Sequence, residues 1–325
     1  MRRDRAAGTT PGMPVHVAIA QAAPRVLDLD GCLAEAERLV AAAAADGAQM
    51  VVFPETWIPG YPMWIFGSAP WDGALQKDAY ARLLRNAVEV PGPATERLGR
   101  LARRHGVQLH VGIHERDGGT LFNSLLSFGP DGAVLGCHRK LMPTHAERLV
   151  WGMGDGSTLN VYDTPLGRVG GLICWEHWMP LTRMAMHGLR EQIHIAVWPD
   201  ALGNAHLASR HYAFEGRCYV IAAGSSTSLE DVPADLRDEA IRGSWNAQVA
   251  LDGLLLSGGS GVIGPDGEWV VGPAGSGEEI VHAELDLDRL DAEFQHFDAV
   301  GHYHRPDVFS FSVDRTPRRA VEWRD

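Results

Sequence analysis

Lysine is almost absent from this sequence. Of its 29 basic residues only Lys77 and Lys140 are lysine, and the arginines are scattered without forming a basic stripe. A codon bias toward arginine explains most of this pattern. A lysine kept in such a chain nevertheless indicates a position that needs a compact ammonium group, which points to Lys140. The formal charge of −12 argues against nucleic acid or an anionic membrane as a partner.

Long apolar runs and closely paired cysteines are also missing. No apolar run reaches the ~18 residues of a membrane span, and no apolar segment follows Arg2, Arg3 and Arg5, so we expect no signal peptide but a loose tail at residues 1–14. The cysteines are far apart and form no CxxC pair: Cys32, Cys137, Cys174 and Cys218. This spacing argues against a disulfide framework or a metal site and predicts reduced thiols in the cytoplasm.

What the sequence does contain is an alternation of short β-rich apolar runs with helical stretches, which predicts an α/β fold. Residues 15–20 and 169–173 are typical of buried strands, and Leu29–Ala45 has helical apolar spacing. The chain has 325 residues, 45% hydrophobic content and no linker. We therefore expect a single domain over residues 15–310, followed by a C-terminal extension at 311–325.

The turn sequence Gly-Pro-Asp-Gly occurs twice, at residues 129–132 and 264–267, each time between apolar runs. Proline, aspartate and glycine in this order favour a β-hairpin. The recurrence indicates a pseudo-duplicated α/β sandwich, although chance also explains the repetition of so short a string. Residues 225–251 have weak periodicity, which predicts a mobile excursion from the core.

Three segments of the sequence are suited to catalysis, and the first two contain Glu55 and Lys140. Glu55 follows a buried strand and is surrounded by aromatic residues, so partial desolvation would raise its carboxyl pKa and suit it to general base catalysis. Lys140 ends a hairpin strand and precedes a loop turned by proline. A solvated loop glutamate and an ordinary surface lysine are the alternatives when each residue is taken alone.

The third segment places Cys174 at a sharp turn between a strand and a helix opened by Pro180. Such a turn directs backbone N–H groups at its first residue, which would lower the thiol pKa and provide an oxyanion site. The alternative is a buried, inert thiol, which is our interpretation of Cys32, Cys137 and Cys218.

In this order, the segments FPETW, RKLMPTHAER and GLICWEHWMP resemble the nitrilase superfamily of carbon–nitrogen hydrolases. The resemblance runs from about residue 15 to residue 309. It implies a four-layer-forming α-β-β-α sandwich with two central sheets and pseudo-duplicated halves. It also implies that Glu55 is the general base, Lys140 the catalytic lysine and Cys174 the nucleophile. Glu147 matches a second glutamate that positions the substrate and polarises the lysine.

Cys-Trp-Glu after the strand resembles the nitrilase branch, as do residues 150–157 and 301–309. The glycines of 150–157 lack the helix and acidic partner of a dinucleotide site. The resemblance implies hydrolysis of an organic nitrile to a carboxylic acid and ammonia through a covalent thioimidate on Cys174, without metal or organic cofactor. Amide or carbamoyl hydrolysis with the same triad, hydration that stops at the amide, and a non-catalytic scaffold role stay open. Dimers that stack into spirals are also implied, so we expect a homo-oligomer.

The candidates for substrate contact are aromatic or imidazole side chains near these segments: Trp57, Tyr61, Trp175, His177 and Trp198. Seven of the ten tryptophans fall between residues 57 and 198. This clustering fits an aromatic pocket for an apolar or aryl-bearing nitrile, and it fits core packing equally well.

Overall fold

The computed structural model describes residues 13–67, 73–318 and 321. The strands are β1 (Val15–Gln21), β2 (Met50–Val52), β3 (Val88–Glu89), β4 (Gln108–Asp117), β5 (Thr120–Phe128), β6 (Val134–Arg139), β7 (Val161–Thr164), β8 (Gly167–Ile173), β9 (Ile193–Val197), β10 (Tyr219–Ala223), β11 (Ser226–Ser228), β12 (Leu254–Ser257), β13 (Gly261–Ile263), β14 (Trp269–Val271) and β15 (Glu279–Leu285). The α-helices are α1 (Leu29–Ala45), α2 (Trp64–Gly67), α3 (Ala74–Arg85), α4 (Pro93–His105), α5 (Pro180–Gly188), α6 (Asn204–Gly216), α7 (Arg237–Gly243), α8 (Val249–Asp252) and α9 (Leu290–Glu293).

Helix α1 shows how local sequence sets the helix boundaries. The Asp28 side chain accepts a hydrogen bond from the backbone N–H of Gly31 at its start, a cap that typically contributes about 1 kcal/mol. The helix ends before Gly47, which has a φ of 91°. Its buried face repeats at helical spacing: Cys32, Leu33, Ala36, Leu39, Val40 and Ala43. The predicted helix Leu29–Ala45 is confirmed.

The strands form two main sheets, and parallel and antiparallel neighbours follow one another in the same order in both. The strand order is β15-β1-β2-β4-β5-β6 in the first sheet, where β3 also pairs with β4, and β7-β8-β9-β10-β13-β14 in the second. In each sheet three parallel strands lie between one antiparallel strand and an antiparallel hairpin. The two Gly-Pro-Asp-Gly turns close the equivalent hairpins, β5–β6 and β13–β14. The predicted pseudo-duplication is therefore confirmed.

The two sheets pack face to face between layers of helices. Val17 and Ile19 on β1 share a core cluster with Val169 and Ile195 of the second sheet. The alternate residues of β1, among them Ala18, pack instead with buried side chains of α1 and α4. Helices α5 and α6 cover the second sheet from its other side. This arrangement confirms the predicted α-β-β-α sandwich.

Residues 225–251, for which the weak periodicity predicted a mobile excursion, form short helices and strands that pack around α2. Helix α7 lies so close to α2 that a Cβ on Gly243 would be 2.5 Å from the Met63 carbonyl oxygen, and a Cβ on Gly67 would be 2.2 Å from that of Glu239. The segment joins the apolar cluster around α2 through Val232, Leu236, Ala240 and Val249. Elements of three to seven residues are too short to show a helical or strand period, which explains the weak periodicity of this segment.

Two other expectations concern the ends of the chain and the membrane. The predicted tail at 1–14 lies outside the described residues apart from 13 and 14, and so do 319, 320 and 322–325 of the predicted extension. Among the described residues, no helix has both the length and the apolar character to cross a membrane.

Candidate active site

Three strand ends meet at one edge of the sandwich. Glu55 follows β2 by three positions, Lys140 comes directly after β6, and Cys174 comes directly after β8. Strand β5 is antiparallel to both β4 and β6, so β6 ends at the same edge as the parallel strands β2 and β4. Ligand sites commonly form at the carboxyl ends of such strands. The structure thus brings together the three residues that the sequence singled out.

Glu55 is buried and hydrogen-bonded through one of its two carboxylate oxygens. Its Oε1 accepts from Lys140 Nζ at 2.8 Å and from Asn123 Nδ2 at 2.6 Å. Its Oε2 is buried without a hydrogen-bond partner among the described residues. Burial raises the pKa of Glu55 to about 7, although the charge of Lys140 works against the increase. A carboxyl with this pKa and one unoccupied oxygen can exchange a proton near neutral pH.

Lys140 bridges two buried glutamates. Its Nζ lies 2.8 Å from Glu55 Oε1 and 2.8 Å from Glu147 Oε2. Glu147 is held in turn by the Thr144 backbone N–H at 2.6 Å and by the Tyr61 hydroxyl at 2.6 Å. Burial alone would lower the pKa of Lys140, but the charges of Cys174, Glu55 and Glu147 outweigh it and hold that pKa well above its ordinary value. Lys140 is therefore a fixed positive charge at the site.

Cys174 lies in a strained turn and is almost closed off from solvent. Its φ is 54°, in the left-handed region, and the side chain is 3% exposed. Burial, followed by the charge of Glu55, raises the pKa of the thiol well above its ordinary value. The expected lowering of this pKa is wrong because the turn is a buried five-residue 3-10 helix, Cys174–Trp178, and not the N-terminus of an α-helix. The neutral thiol therefore needs a base, and Glu55 is adjacent.

The side chains at this edge also form the cluster that could hold a metal ion. Ligand atoms of Glu55, Glu147 and Cys174 lie within 4.8 Å of one another. The ammonium of Lys140 already lies 2.8 Å from both carboxylates and supplies the positive charge between them. The donor set therefore matches an ion-paired thiol site better than a resident cation site.

The loop that carries Glu55 crosses β4 at a glycine. A Cβ added to Gly112 would lie 2.1 Å from the Pro54 carbonyl oxygen and 2.5 Å from the Thr56 nitrogen. Thr56 itself has a φ of 44°. The close approach at Gly112 thus lets the loop press against the sheet, and it fixes the backbone on both sides of Glu55.

Glu176 links the lysine segment to the cysteine segment. Its carboxylate accepts from the backbone N–H of Leu141 and of Ile173, both at 2.8 Å, and His138 Nε2 lies 3.0 Å away. Burial would raise the pKa of Glu176, but His138 and the two N–H groups outweigh it and lower that pKa. In the sequence, Glu176 stood out only as part of a family motif. In the structure, its hydrogen bonds hold the ends of two strands together.

The predicted substrate-contacting residues separate into two groups. Tyr61 touches Glu147, and Trp175 is 50% exposed next to Cys174. The other three are buried, with their ring N–H groups or ring nitrogens bonded to protein: Trp57 to the Ala22 carbonyl, His177 to the Cys174 carbonyl and to His194, and Trp198 to Ser209. These placements favour packing or positioning roles for the second group, and substrate contact stays a prediction for all five residues.

Two residues that sequence analysis missed lie at the site. Asn123 donates to Glu55, and it stands in β5 among residues that are mostly buried and apolar. A carboxamide at such a position is a usable signal, because a buried polar side chain needs a partner. Trp245 comes from the segment 225–251 and packs edge-on against Tyr61 and Phe66, at ring-centroid distances of 6.0 Å and 5.9 Å. No local pattern connects Trp245 with Tyr61, since the contact depends on how α7 docks on α2.

The remaining cysteines are apart from this site. Cys32 and Cys218 are buried and Cys137 is half-buried, and burial raises the thiol pKa of all three. Cys137 packs close to Glu115, with its sulfur 3.5 Å from a carboxylate oxygen. The interpretation of these thiols as inert fits their environment.

Comparison with known proteins identifies the family. The sequence model of the carbon–nitrogen hydrolase family matches residues 16–292. This chain belongs to the carbon–nitrogen hydrolase family. The predicted membership is thus confirmed, and the match spans every residue of the site described above.

Relatives of this carbon–nitrogen hydrolase cover nearly its whole length. An aliphatic nitrilase from Sinorhizobium fredii (strain HH103) is 41% identical over 311 residues, which are 94% of this chain and 97% of the relative. A bifunctional nitrilase/nitrile hydratase from Lupinus angustifolius is 40% identical over 94% of this chain and 88% of the relative. Nitrilase 1 from Arabidopsis thaliana is 37% identical, with coverage of 97% and 91%.

Solved structures share the fold of this hydrolase at lower sequence identity. A carbon–nitrogen hydrolase from Helicobacter pylori G27 superposes with a TM-score of 0.67 at 21% identity, over 91% of this chain and 97% of the other. An amidase from Nesterenkonia sp. has a TM-score of 0.63 at 19% identity, over 89% and 97%. These structures support the sandwich architecture.

Proposed function

We propose that this hydrolase converts an organic nitrile to the carboxylic acid and ammonia, with Cys174 as nucleophile. The observation that carries the proposal is the buried group of Glu55, Lys140 and Glu147 around that thiol. The relatives named as nitrilases are 37–41% identical over more than nine-tenths of this chain, which supports nitriles as the substrate class.

The first half of the reaction forms a covalent intermediate. Glu55 accepts the thiol proton on its unoccupied Oε2, and the sulfur of Cys174 attacks the nitrile carbon. One carbon–nitrogen π bond opens, the nitrogen receives the proton, and a thioimidate results. The ammonium of Lys140, together with the backbone N–H of Trp175, stabilises the negative charge that develops. Glu147 keeps Lys140 in place through the 2.8 Å ion pair.

The second half consumes two water molecules. Glu55 takes a proton from the first water, whose oxygen adds to the thioimidate carbon, and nitrogen leaves as ammonia after protonation. The resulting thioester on Cys174 is hydrolysed by the second water, which releases the carboxylic acid and restores the thiol. A group whose pKa is about 7 can both accept and return these protons.

We further propose that the substrate carries an apolar or aryl group. Tyr61, Phe66, Trp151 and Trp245 make mutual ring contacts with centroids 5.9 to 6.2 Å apart beside the Lys140–Glu147 pair. Trp245 is 48% exposed, so this aromatic wall is accessible from solvent. Aromatic surface of this kind recognises apolar groups with little need for hydrogen bonds.

Hydration that stops at the amide is a second candidate. It is favoured by the relative from Lupinus angustifolius whose name includes nitrile hydratase. After the first water adds, one carbon carries oxygen, nitrogen and sulfur. Loss of ammonia leads to the acid, whereas loss of the Cys174 sulfur leads to the amide. Both outcomes use the same residues, so product analysis must separate them.

The test is a panel of aliphatic, aryl and arylacetonitriles, each paired with its amide, in which ammonia, acid and amide are measured. We expect the enzyme to release ammonia and acid from at least one nitrile, and to turn over that nitrile faster than its amide. Ammonia from amides but from no nitrile would show an amidase instead. C174A should abolish turnover, whereas C137A, which changes a thiol outside the site, should retain it.

We also propose a homo-oligomer, built from dimers that stack into a spiral, in the cytoplasm. Large apolar side chains on α5 and α6 are exposed in the single chain, which supports a covering partner: Leu181, Leu207 and Phe214. The free state of all four cysteines fits a reducing compartment. Light scattering coupled to size-exclusion chromatography tests the assembly, and a strictly monomeric protein would contradict it.

A further inference from the structure

A chain of buried hydrogen bonds runs from the nucleophile toward the outer helix layer. His177 Nδ1 lies 2.7 Å from the Cys174 carbonyl oxygen, and His177 Nε2 lies 2.9 Å from His194 Nε2. His194 Nδ1 lies 2.9 Å from Glu191 Oε2, and the Tyr212 hydroxyl donates to the other oxygen of Glu191. The side chains in this chain of contacts are at most 4% exposed.

The chemistry of the first contact determines where the protons lie. A carbonyl oxygen only accepts, so His177 Nδ1 carries a hydrogen. Burial lowers the pKa of His177 to about 3, so the ring is neutral and its Nε2 is an acceptor. His194 Nε2 must then donate. The 2.9 Å contact between His194 Nδ1 and Glu191 needs one further proton, held by either partner.

These contacts control a peptide plane at the reaction centre. Cys174 has a left-handed backbone, which is strained for a non-glycine residue and persists only where its surroundings fix it. In a planar trans peptide the carbonyl and the following N–H point in opposite directions. The bond from His177 to the Cys174 carbonyl therefore also sets the direction of the Trp175 N–H.

We propose that Glu191 is a remote positioning residue for the reaction. Through His194 and His177 it fixes the peptide between Cys174 and Trp175, and so it aims the Trp175 N–H at the charge that develops on the substrate. This proposal rests on the proposed function for its kinetic consequence. Its structural part, the orientation of both imidazole rings, does not.

Two replacements of Glu191 separate this role from packing. In E191Q the amide oxygen can accept from Tyr212 and the amide nitrogen can donate to His194, as a protonated carboxyl does. In E191M the volume is similar but neither bond forms, so His194 and His177 can exchange tautomers and the carbonyl of Cys174 loses its fixed side-chain donor. E215Q is the control for loss of a nearby carboxylate charge, because Glu215 bonds His187 and Arg183 and not the side chains of His177, His194 or Tyr212 in the part of the chain that the structure describes. Arg183 also donates to the His177 backbone carbonyl, so E215Q reports any effect that reaches His177 by that route.

The kinetic experiment compares turnover with alkylation of Cys174 by iodoacetamide, a reaction that does not use the Trp175 N–H. We expect E191M to lose about 100-fold in kcat, as for removal of an oxyanion donor, with KM little changed. Its alkylation rate should stay within about threefold, while E191Q and E215Q stay near wild type in both assays. Wild-type turnover by E191M, or an equal fall in its turnover and alkylation, would overturn the proposal.

A second measurement is independent of any substrate. Long-range ¹⁵N–¹H NMR on protein labelled at histidine reports which ring nitrogen is protonated. We expect the Nδ1–H form for His177 and a protonated Nε2 for His194 in the wild type, with mixed forms in E191M. An Nε2–H form of His177 in the wild type would refute the positioning role even if nitriles are hydrolysed. Absent nitrile turnover with the expected tautomers would refute the proposed function alone.

Discussion

Removal of the charge of Lys140 should leave two carboxylates buried without a counter-charge. In K140M, Glu55 and Glu147 lose an ammonium group 2.8 Å from each, while both carboxylates are only 1% exposed. Removal of one partner from a buried ion pair costs about 3–5 kcal/mol, because a charge is left buried without compensation. We therefore expect the variant to be destabilised by about this amount at pH values where both carboxyls ionise in the unfolded chain.

The pH dependence of this loss has a definite sign. The pKa of Glu55 is about 7 with Lys140 present, and it should rise further without that charge. The wild type already loses stability as the pH rises from about 4.5 to about 7, because its folded Glu55 keeps a proton that the unfolded chain releases. In the variant this loss continues above a pH of about 7, so the difference in stability from wild type grows there. K140M should accordingly be closer to wild type at a pH of about 5 than at about 8.

Urea unfolding followed by tryptophan fluorescence measures the effect as a change in the midpoint. K140M/E147Q removes one of the two buried carboxylate charges that lost their counter-charge, and it should recover much of the lost stability. K77M changes the other lysine, which is exposed on α3, and should shift stability by no more than about 0.5 kcal/mol. An unchanged midpoint for K140M would show that Lys140 does not stabilise the buried carboxylates. An equal loss of stability at both pH values would show that the pKa of Glu55 does not rise when Lys140 is replaced.

Three further predictions concern the pH profile of the reaction, the hydrogen bond from Asn123 to Glu55, and the packing of α7 on α2. The value of kcat/KM should rise with pH through about 7 as Glu55 loses its proton, and an acid limb well below that pH would argue against Glu55 as the base. N123L removes a donor that stabilises the ionised form of Glu55 and should move this limb up by about one pH unit, measured in the same profile. G243A forces a Cβ to within 2.5 Å of the Met63 carbonyl, so we expect about 1–3 kcal/mol of destabilisation and a higher KM. G188A meets no atom within 4 Å and should cost nothing in the same urea titration.

Much of the site was accessible from sequence because its main residues share one local context. Glu55, Lys140 and Cys174 each follow an apolar strand, and strand ends of an α/β sheet converge at one edge. The repeated turn at residues 129–132 and 264–267 likewise predicted equivalent hairpins, since turn chemistry is local. The raised pKa of Glu55 also followed from its aromatic surroundings.

The features that the sequence did not predict depend on which side chains the fold buries and on how its helices pack together. The thiol pKa of Cys174 is raised rather than lowered, because burial and the charge of Glu55 outweigh Lys140. Trp57 and Trp198 looked like pocket residues from their position near the motifs, yet their indoles bond inward. The contact of Trp245 with Tyr61 arises only when α7 packs on α2.

Intact-protein mass spectrometry after rapid acid quench shows whether Cys174 is the nucleophile. With a nitrile that is turned over, we expect a covalent mass increase equal to the thioimidate or thioester, mapped by peptide digestion to Cys174. The adduct should be absent from C174A and present in C137A. An adduct on another residue, or turnover that persists in C174A, would contradict the assignment of Cys174 as the nucleophile.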